Sequence, residues 1–166
     1  TAAALSSWHL EKIKHLFPYV RFYSMYGLTE TKRTLYLPPE DLTRKPDSVG
    51  IPIPGTEAWI ENDQGKRLGS DQIGELVIRG RHVMRGYWKD RHATENRFRP
   101  GVFPGEQLCY SGDLFKMDSD GYFYFIARKD DIIKSRGEKV SPKEIENVIY
   151  QIPGIQEVAV IGIPDA

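Results

Sequence analysis

Five residues near the amino-terminal end carry groups that can contact a phosphate and a metal ion. Residues 26–30 read Tyr-Gly-Leu-Thr-Glu and follow a short segment, residues 20–23, that predicts a strand. The glycine permits close backbone approach, the Thr29 hydroxyl suits a phosphate oxygen, and the Glu30 carboxylate suits a hard cation such as Mg²⁺. Considered alone, these five residues are better explained as a plain turn after a strand.

A second acidic group, Asp113, follows Ser111 and Gly112 and precedes an apolar run that predicts a strand over residues 114–117. A carboxylate at a strand edge can accept hydrogen bonds from both hydroxyls of a ribose. Arg128 ends the next predicted strand and carries a fixed fork of donors. Considered singly, a β-turn and a solvated arginine explain these residues better.

Residues 130–140 mix charged residues with glycine between two parts of the chain that differ in pattern. Boundary residues of this kind absorb backbone rotation in proteins whose domains move. The composition of the segment supports a hinge and a solvated connection equally.

The elements that must position these groups follow from hydrophobic periodicity, glycine and proline. Ser6 and Ser7 precede apolar residues at helical spacing, which predicts a helix that Pro18 ends. Residues 37–54 are rich in proline and predict a long irregular connection, and residues 89–98 predict a short helix. A small antiparallel sheet or distorted barrel is predicted from strands over residues 57–61, 74–80, 114–117 and 122–127.

The pattern changes after Arg128. Ser141 and Glu144 form a capping box with Pro142 at the first helical position, which predicts a helix from Ser141 onward. Residues 158–163 are almost wholly apolar and predict a buried strand. The chain is therefore predicted to be mixed α+β, with a helix–strand unit, an antiparallel sheet or barrel, and a partial α/β unit in that order.

The composition argues against several functions. In 166 residues, 23 Lys and Arg balance 23 Asp and Glu, so we expect no nucleic-acid partner, because that affinity comes from clustered positive charge. No apolar run reaches the length of a transmembrane segment. The single cysteine, Cys109, argues against an intrachain disulfide framework or a cysteine zinc site and favours a cytoplasmic location.

The order and spacing of these segments together resemble the adenylate-forming superfamily of acyl-CoA synthetases, peptide-synthetase adenylation domains and firefly luciferase. The resemblance covers nearly the whole chain and is carried by residues 26–30 (YGLTE), 49–55 (VGIPIPG), 74–88 (GELVIRGRHVMRGYW), 111–113 (SGD), 120–122 (DGY) and 128–134 (RKDDIIK). Residues 134–142 look more like fatty or aryl acyl-CoA ligases. Ala127 departs from the family's usual glycine, and Lys129 adds a charge beside the hinge position.

The resemblance implies roles for individual positions. Tyr26 would stack on adenine, and Phe125 would lie beside it. Asp113 and Arg128 would bind the ribose hydroxyls. Thr29 would contact the phosphates and Glu30 would bind Mg²⁺, and these two residues would also serve catalysis. Asp130 would be the hinge and Gly137 would lie on the loop that lines the CoA tunnel. The acyl pocket would be lined in part by Thr1, Ala2, Ala3 and Ser24.

The implied reaction of the intact enzyme joins a small-molecule carboxylic acid to CoA in two steps. The acid and ATP give an acyl-adenylate and pyrophosphate, and the CoA thiol then displaces AMP. Residues 1–129 would be the last part of the large adenylating domain, and residues 130–166 the hinge and first part of the small carboxy-terminal domain. The family's phosphate loop and its carboxy-terminal lysine lie outside this sequence, so we expect an internal piece that is inactive alone.

Two alternatives to that reaction stay open at this stage. One is a non-catalytic module that binds a nucleotide or a partner chain, and the other is an adenylating enzyme with another acceptor. The sequence leaves the acid and the oligomeric state undefined.

Overall fold

The structure is a computed structural model, and it describes residues 7–135, 138–150 and 152–163. Its elements, in chain order, are α1 (Ser7–Leu16), β1 (Ser24–Tyr26), β2 (Leu35–Leu37), a 3₁₀ turn (Pro39–Asp41), β3 (Ile51–Pro52), β4 (Thr56–Glu61), β5 (Ile73–Gly80), α2 (Arg91–Arg97), β6 (Phe98–Pro100), β7 (Gln107–Met117), β8 (Phe123–Arg128), β9 (Ile133–Ser135), β10 (Glu138–Val140) and α3 (Pro142–Ile149). The predicted mixed α+β class is confirmed.

Five strands form the antiparallel sheet at the centre of the fold. Its order is β4-β5-β7-β6, with β8 also paired to β7. Strand β7 pairs with β5 along one side and is long enough to pair with two strands along the other, through residues 107–109 with β6 and residues 113–117 with β8. Within the described residues the sheet stays open, since β4 and β6 remain its edges, so the sheet form of the prediction holds and the barrel form does not.

The main core lies on one face of this sheet, where alternate strand residues point inward. It consists of Leu35, Ile60, Leu76, Ile78, Phe98, Cys109, Phe115 and Phe123. A second cluster places helix α1 against the 3₁₀ region through Leu10, Leu37 and Leu42. Leu16 and Phe17, two of the apolar residues at helical spacing before Pro18, are exposed.

A smaller sheet, β1-β2-β3, brings the end of β1 beside the long hairpin of β7 and β8. The strand predicted over residues 20–23 lies at Ser24–Tyr26 instead, because pairing with β2 begins where Ser24 faces Leu37. The main-chain N–H of Val20 donates instead to the carbonyl of Phe17. Phe123 N donates to the carbonyl of Gly50, and Val49 N donates to the carbonyl of Phe123, both at 2.9 Å, so the segment before β3 is joined to β8.

The carboxy-terminal unit departs from two predictions. Helix α3 begins at Pro142 as expected, but the Ser141 hydroxyl donates to the carbonyl of Ile126 at 3.0 Å instead of capping the helix. This bond ties the start of α3 to β8. The buried strand predicted over residues 158–163 is wrong: these residues form no strand, and Val160 N donates to the Glu146 carboxylate instead of to a neighbouring strand.

Candidate functional site

A bulge in β7 sets the position of Asp113. In the β5–β7 pairing, Glu75 faces Leu114 and Val77 faces Tyr110, so residues 111–113 of β7 lie opposite Leu76 alone. Residues 111–113 therefore lie inside a strand, whereas the sequence predicted a turn or strand edge before one. Extra residues of this kind bend a strand and redirect its side chains, and bulges are frequent beside functional sites.

Gly112 is required at the middle of this bulge. Its φ is +71°, in the left-handed region that favours glycine. A Cβ placed there would also lie only 2.6 Å from Nη1 of Arg97. The Ser111 hydroxyl accepts from Asp113 N at 3.1 Å and supports the bulge from within.

The Asp113 carboxylate is almost fully buried, with 2% of the residue exposed. Tyr26 donates its hydroxyl proton to Asp113 Oδ2 at 2.5 Å. Asp113 also faces Arg128 in the β7–β8 register, with Nε 3.1 Å from Oδ1. Within the described chain, however, Oδ1 accepts no hydrogen bond of acceptable geometry. A buried carboxylate oxygen of this kind has acceptor capacity left for a ligand.

The electrostatics follow from this burial. Burial raises the pKa of Asp113 because it penalises the charged form, while the Tyr26 hydroxyl and Arg128 act in the opposite direction. Burial and the neighbouring Asp113 carboxylate together raise the pKa of Tyr26, so its hydroxyl stays protonated and remains a donor. Strongly perturbed groups beside one another are typical of functional sites.

Aromatic rings line the space beside Asp113. Phe115, two residues further along β7, is fully buried and meets the Tyr26 ring edge-on at 5.0 Å. Phe125 of β8 also meets the Phe115 ring edge-on, at 5.6 Å. The rings of Tyr26 and Phe125 are only partly buried, so they present apolar surface near the carboxylate.

The turn after β1 carries Thr29 and Glu30. Its main chain packs closely at Gly27, where a Cβ would lie 1.6 Å from the carbonyl oxygen of Lys32, so only glycine fits. Thr29 is exposed at the tip, whereas Glu30 is buried. The hydroxyl of Tyr87 donates to Glu30 Oε1, and Nε of Arg97 lies 3.6 Å from the same oxygen.

Arg97 connects the two acidic positions. Besides facing Glu30, its Nη1 donates to the carbonyl of Tyr110 at 3.0 Å, and Tyr110 lies immediately before the bulge. The positive charge of Arg97 also acts on Asp113. The structure therefore brings together Tyr26, Phe125, Asp113 and Arg128, and joins Glu30 to them through Arg97.

Glu30 can act as one ligand of a magnesium ion but not as a complete site. In the part of the chain that is described, no three His, Cys, Asp or Glu side chains gather as metal ligands. Mg²⁺ is commonly bound by one or two carboxylates together with substrate phosphates and water. The residues present therefore fit a metal that arrives with a phosphate-bearing ligand.

The remaining predicted positions are spread around this centre. Ser24 is half-buried at the start of β1. Asp130 is exposed two residues after the end of β8, in a turn in which Asp131 N donates to the carbonyl of Arg128. Thr1, Ala2, Ala3 and Gly137 lie outside the described residues. Their proposed contacts with the acyl group and CoA stay predictions.

Sequence reasoning assigned no role to Glu75, Tyr87, Arg97 or Phe115, although all four surround the site. Glu75 and Tyr87 lie inside segments already noted, residues 74–88, so the motif itself was a signal. Arg97 and Phe115 gave no signal, because their importance comes from contacts made across the fold.

The family of the chain follows from comparison with known proteins. Residues 1–88 match the model of the AMP-binding enzyme family, and the chain belongs to that family. A long-chain-fatty-acid–CoA ligase of Escherichia coli is 39% identical over 139 residues, which is 84% of this chain and 24% of the ligase. The chain thus spans about a quarter of the length of this relative.

Two solved structures extend the comparison. The o-succinylbenzoate CoA synthetase of Bacillus subtilis, in complex with its acyl-adenylate intermediate, aligns with a TM-score of 0.86 and 30% identity over 99% of this chain and 32% of its own. An amide bond synthetase of Marinactinospora thermotolerans aligns with a TM-score of 0.77 and 30% identity over 86% of this chain and 28% of its own. Both confirm the fold resemblance.

None of the helices in the described segments is long and apolar enough to cross a membrane.

Proposed function

We propose that this chain supplies the nucleotide-binding and hinge part of an AMP-forming acid–thiol ligase that acts in the cytoplasm. The complete ligase joins a carboxylic acid to CoA and uses ATP to do so. Membership of the AMP-binding family supports this function, as do the names of the ligase and synthetase relatives. The observation that carries the proposal is the buried Asp113 carboxylate, with one unsatisfied oxygen, set against Arg128 and beside aromatic rings.

These residues suit an adenosine nucleotide. Ribose hydroxyls donate to Asp113, where the exclusion of water strengthens each hydrogen bond. Arg128 remains 41% exposed and keeps donors for the same sugar. The partly exposed rings of Tyr26 and Phe125 offer apolar surface to the base.

The first step places negative charge on phosphoryl oxygens. An oxygen of the acid attacks the α-phosphorus of ATP, the bond to pyrophosphate breaks, and an acyl-adenylate forms. Catalysis of this type depends on positioning and on nearby cations. Thr29, exposed at the turn, donates its hydroxyl to a phosphate oxygen, and Mg²⁺ held at Glu30 supplies positive charge when bound. The CoA thiol sulfur then attacks the acyl carbon, and AMP leaves.

The second step uses the hinge. Residues 1–129 belong to the large domain in this proposal, and the unit after Asp130 rotates to admit CoA past Gly137. Thr1, Ala2, Ala3 and Ser24 line part of the acyl pocket. The family's phosphate loop and carboxy-terminal lysine are not among these 166 residues, so the chain alone should not catalyse acid-dependent pyrophosphate exchange. Exchange by the purified chain would contradict that expectation.

The nucleotide assignment is tested by changing Asp113 in the complete native polypeptide that carries this sequence. Asp113→Ala should weaken ATP binding by about 1–3 kcal/mol, because hydrogen bonds to a charged acceptor are lost. Asp120→Ala, at a half-exposed carboxylate in the turn of the same hairpin, is the matched control and should leave ATP affinity unchanged. Calorimetric titration with ATP measures both, and equal affinity for Asp113→Ala and the unaltered protein would overturn the assignment.

A second acceptor class is supported by the amide bond synthetase, whose name indicates an amine acceptor. Acyl transfer to CoA and to a panel of amines should be compared in the complete enzyme with the same acid. Product formation with CoA supports the thiol ligase, and product formation with amines alone would favour this second candidate.

A further inference from the structure

Gly112, immediately before Asp113, has both main-chain groups held by neighbouring strands. Its N–H donates to Glu75 Oε1 at 3.0 Å. Its carbonyl accepts from the main-chain N–H of Lys129 at 2.8 Å. The bulge that aims Asp113 is therefore fixed from β5 by a side chain and from the end of β8 by the main chain.

Glu75 is itself held in place. Its other oxygen, Oε2, pairs with Nζ of Lys129 at 3.0 Å, and Nζ also lies 3.0 Å from Oδ1 of Asp63. The Glu75 side chain is only 14% exposed, which favours a single position for its carboxylate. Glu75, Gly112 and Lys129 thus form a closed ring of contacts.

An ordinary ion pair on the same strands provides a contrast. Glu57 of β4 pairs with Arg79 of β5 at 3.4 Å and is 64% exposed. Such a pair holds two flexible side chains and contributes little to stability. Glu75 differs because its carboxylate holds the peptide group next to the residue that faces the ligand.

We propose that Glu75 is a positioning residue for nucleotide binding, that it acts through Gly112 on Asp113, and that Lys129 keeps Glu75 in place. The proposal rests on the proposed function, since it takes Asp113 as the acceptor for the ribose. Lys129 is thereby tied to the strand that carries Asp113, which fits the proposed hinge at the next residue, Asp130.

The test compares AMP with 2′,3′-dideoxy-AMP in the complete native polypeptide. The ratio of their dissociation constants reports how well Asp113 meets the ribose hydroxyls. In the unaltered protein the dideoxy nucleotide should bind at least about tenfold more weakly, because two hydrogen bonds are missing. Glu75→Ala should bring this ratio to about 2 or less, since a displaced carboxylate gains little from either hydroxyl.

Matched variants separate positioning from general stability. Glu75→Gln keeps an acceptor for Gly112 N and should retain most of the ratio, and Glu57→Ala should retain all of it. Lys129→Met, which leaves Glu75 without its partner, should lower the ratio to an intermediate value. If Glu75→Ala does not fold, the ratio measured for Lys129→Met tests the positioning role in its place.

The outcomes distinguish this proposal from the proposed function. A full ratio in Glu75→Ala, or in Lys129→Met if that variant alone folds, overturns the positioning role while leaving the nucleotide site intact. A ratio near 1 in the unaltered protein overturns the ribose assignment of Asp113 and with it the basis of the inference.

Discussion

Each end of the β7–β8 hairpin carries a buried or partly buried aspartate, and the two carboxylates differ in how many hydrogen bonds they accept. At the turn, both oxygens of Asp118 are satisfied: Oδ1 by Asp120 N and Tyr122 N at 3.0 and 2.9 Å, and Oδ2 by Lys45 Nζ and Tyr124 OH at 2.6 and 3.0 Å. At the open end, Asp113 Oδ2 is satisfied by Tyr26, and Oδ1 is left without a hydrogen bond in the described chain.

The pKa values of Asp118 and Asp113 move in opposite directions because the two carboxylates differ in the donors around them. Partial burial opposes ionisation of Asp118, but Lys45, Tyr122 N and Tyr124 outweigh it and lower the pKa of Asp118 to about 2. Burial dominates at Asp113 and raises its pKa. The Asp118 carboxylate therefore stabilises the fold, whereas the Asp113 carboxylate keeps acceptor capacity at a cost in stability.

The largest expected effect is on stability at the turn. Asp118→Ala removes four hydrogen bonds and leaves Lys45 and Tyr124 without this partner, so it should lower the free energy of unfolding by about 2 kcal/mol. Urea denaturation measures the loss, and Asp120→Ala should produce a smaller one. A loss for Asp118→Ala no greater than that for Asp120→Ala would contradict the structural role of the turn.

The next effect concerns Arg97, which joins Glu30 to the open end. Arg97→Leu leaves Glu30, a carboxylate in a residue only 8% exposed, with the Tyr87 hydroxyl as its donor and should lower stability by about 1 kcal/mol. Arg91→Leu on the same helix is the control, because its pair with Glu95 is exposed and should contribute nothing measurable. Equal unfolding midpoints for the two variants would show that Arg97 is not needed to compensate Glu30.

The pH dependence of stability should separate the two aspartates. The folded pKa of Asp118, about 2, lies below its ordinary value of 3.8, so its stabilisation is present above pH 3.8 and is lost as the pH falls through about 2. Asp118→Asn should flatten this acid loss when denaturation curves are recorded from pH 5 to pH 2. An unchanged acid limb in Asp118→Asn would remove the assigned role of Lys45 and its neighbours.

The smallest expected effect on stability is at Asp113. Its folded pKa is raised, so its contribution favours the folded state at low pH and is lost as the pH rises through that value. Asp113→Asn keeps an acceptor for Tyr26 and should change neutral-pH stability by less than about 1 kcal/mol while weakening ATP binding. A large loss of stability with normal ATP binding would reverse the comparison between the two ends.

Local patterns predicted much of the fold. The strands over residues 57–61 and 74–80 and the helix over residues 89–98 are found within one or two residues of their expected bounds. These segments carry their own signals, since alternation, glycine and proline act over a few neighbours. The prediction failed where a partner was needed: residues 158–163 are apolar enough for a strand but pair with no strand in the described structure.

The candidate site divides in the same way. Tyr26, Thr29, Glu30, Asp113 and Arg128 were found from residue types and motif order, and the structure brings four of them into contact directly or through Arg97. Glu75 and Arg97 were not found, because Glu75 supports a bulge and Arg97 reaches from helix α2 to the turn after β1 and to strand β7. Neither contact has a fixed spacing in the chain.

The sequence by itself determined the family, the mixed α+β class and the acidic residues available for a nucleotide, because these depend on residue types in a fixed order. Only the tertiary structure decided which aspartate is satisfied and which is left open. That difference depends on burial and on donors from distant strands, such as Lys45 at Asp118 and Tyr26 at Asp113, and no local pattern encodes either contact.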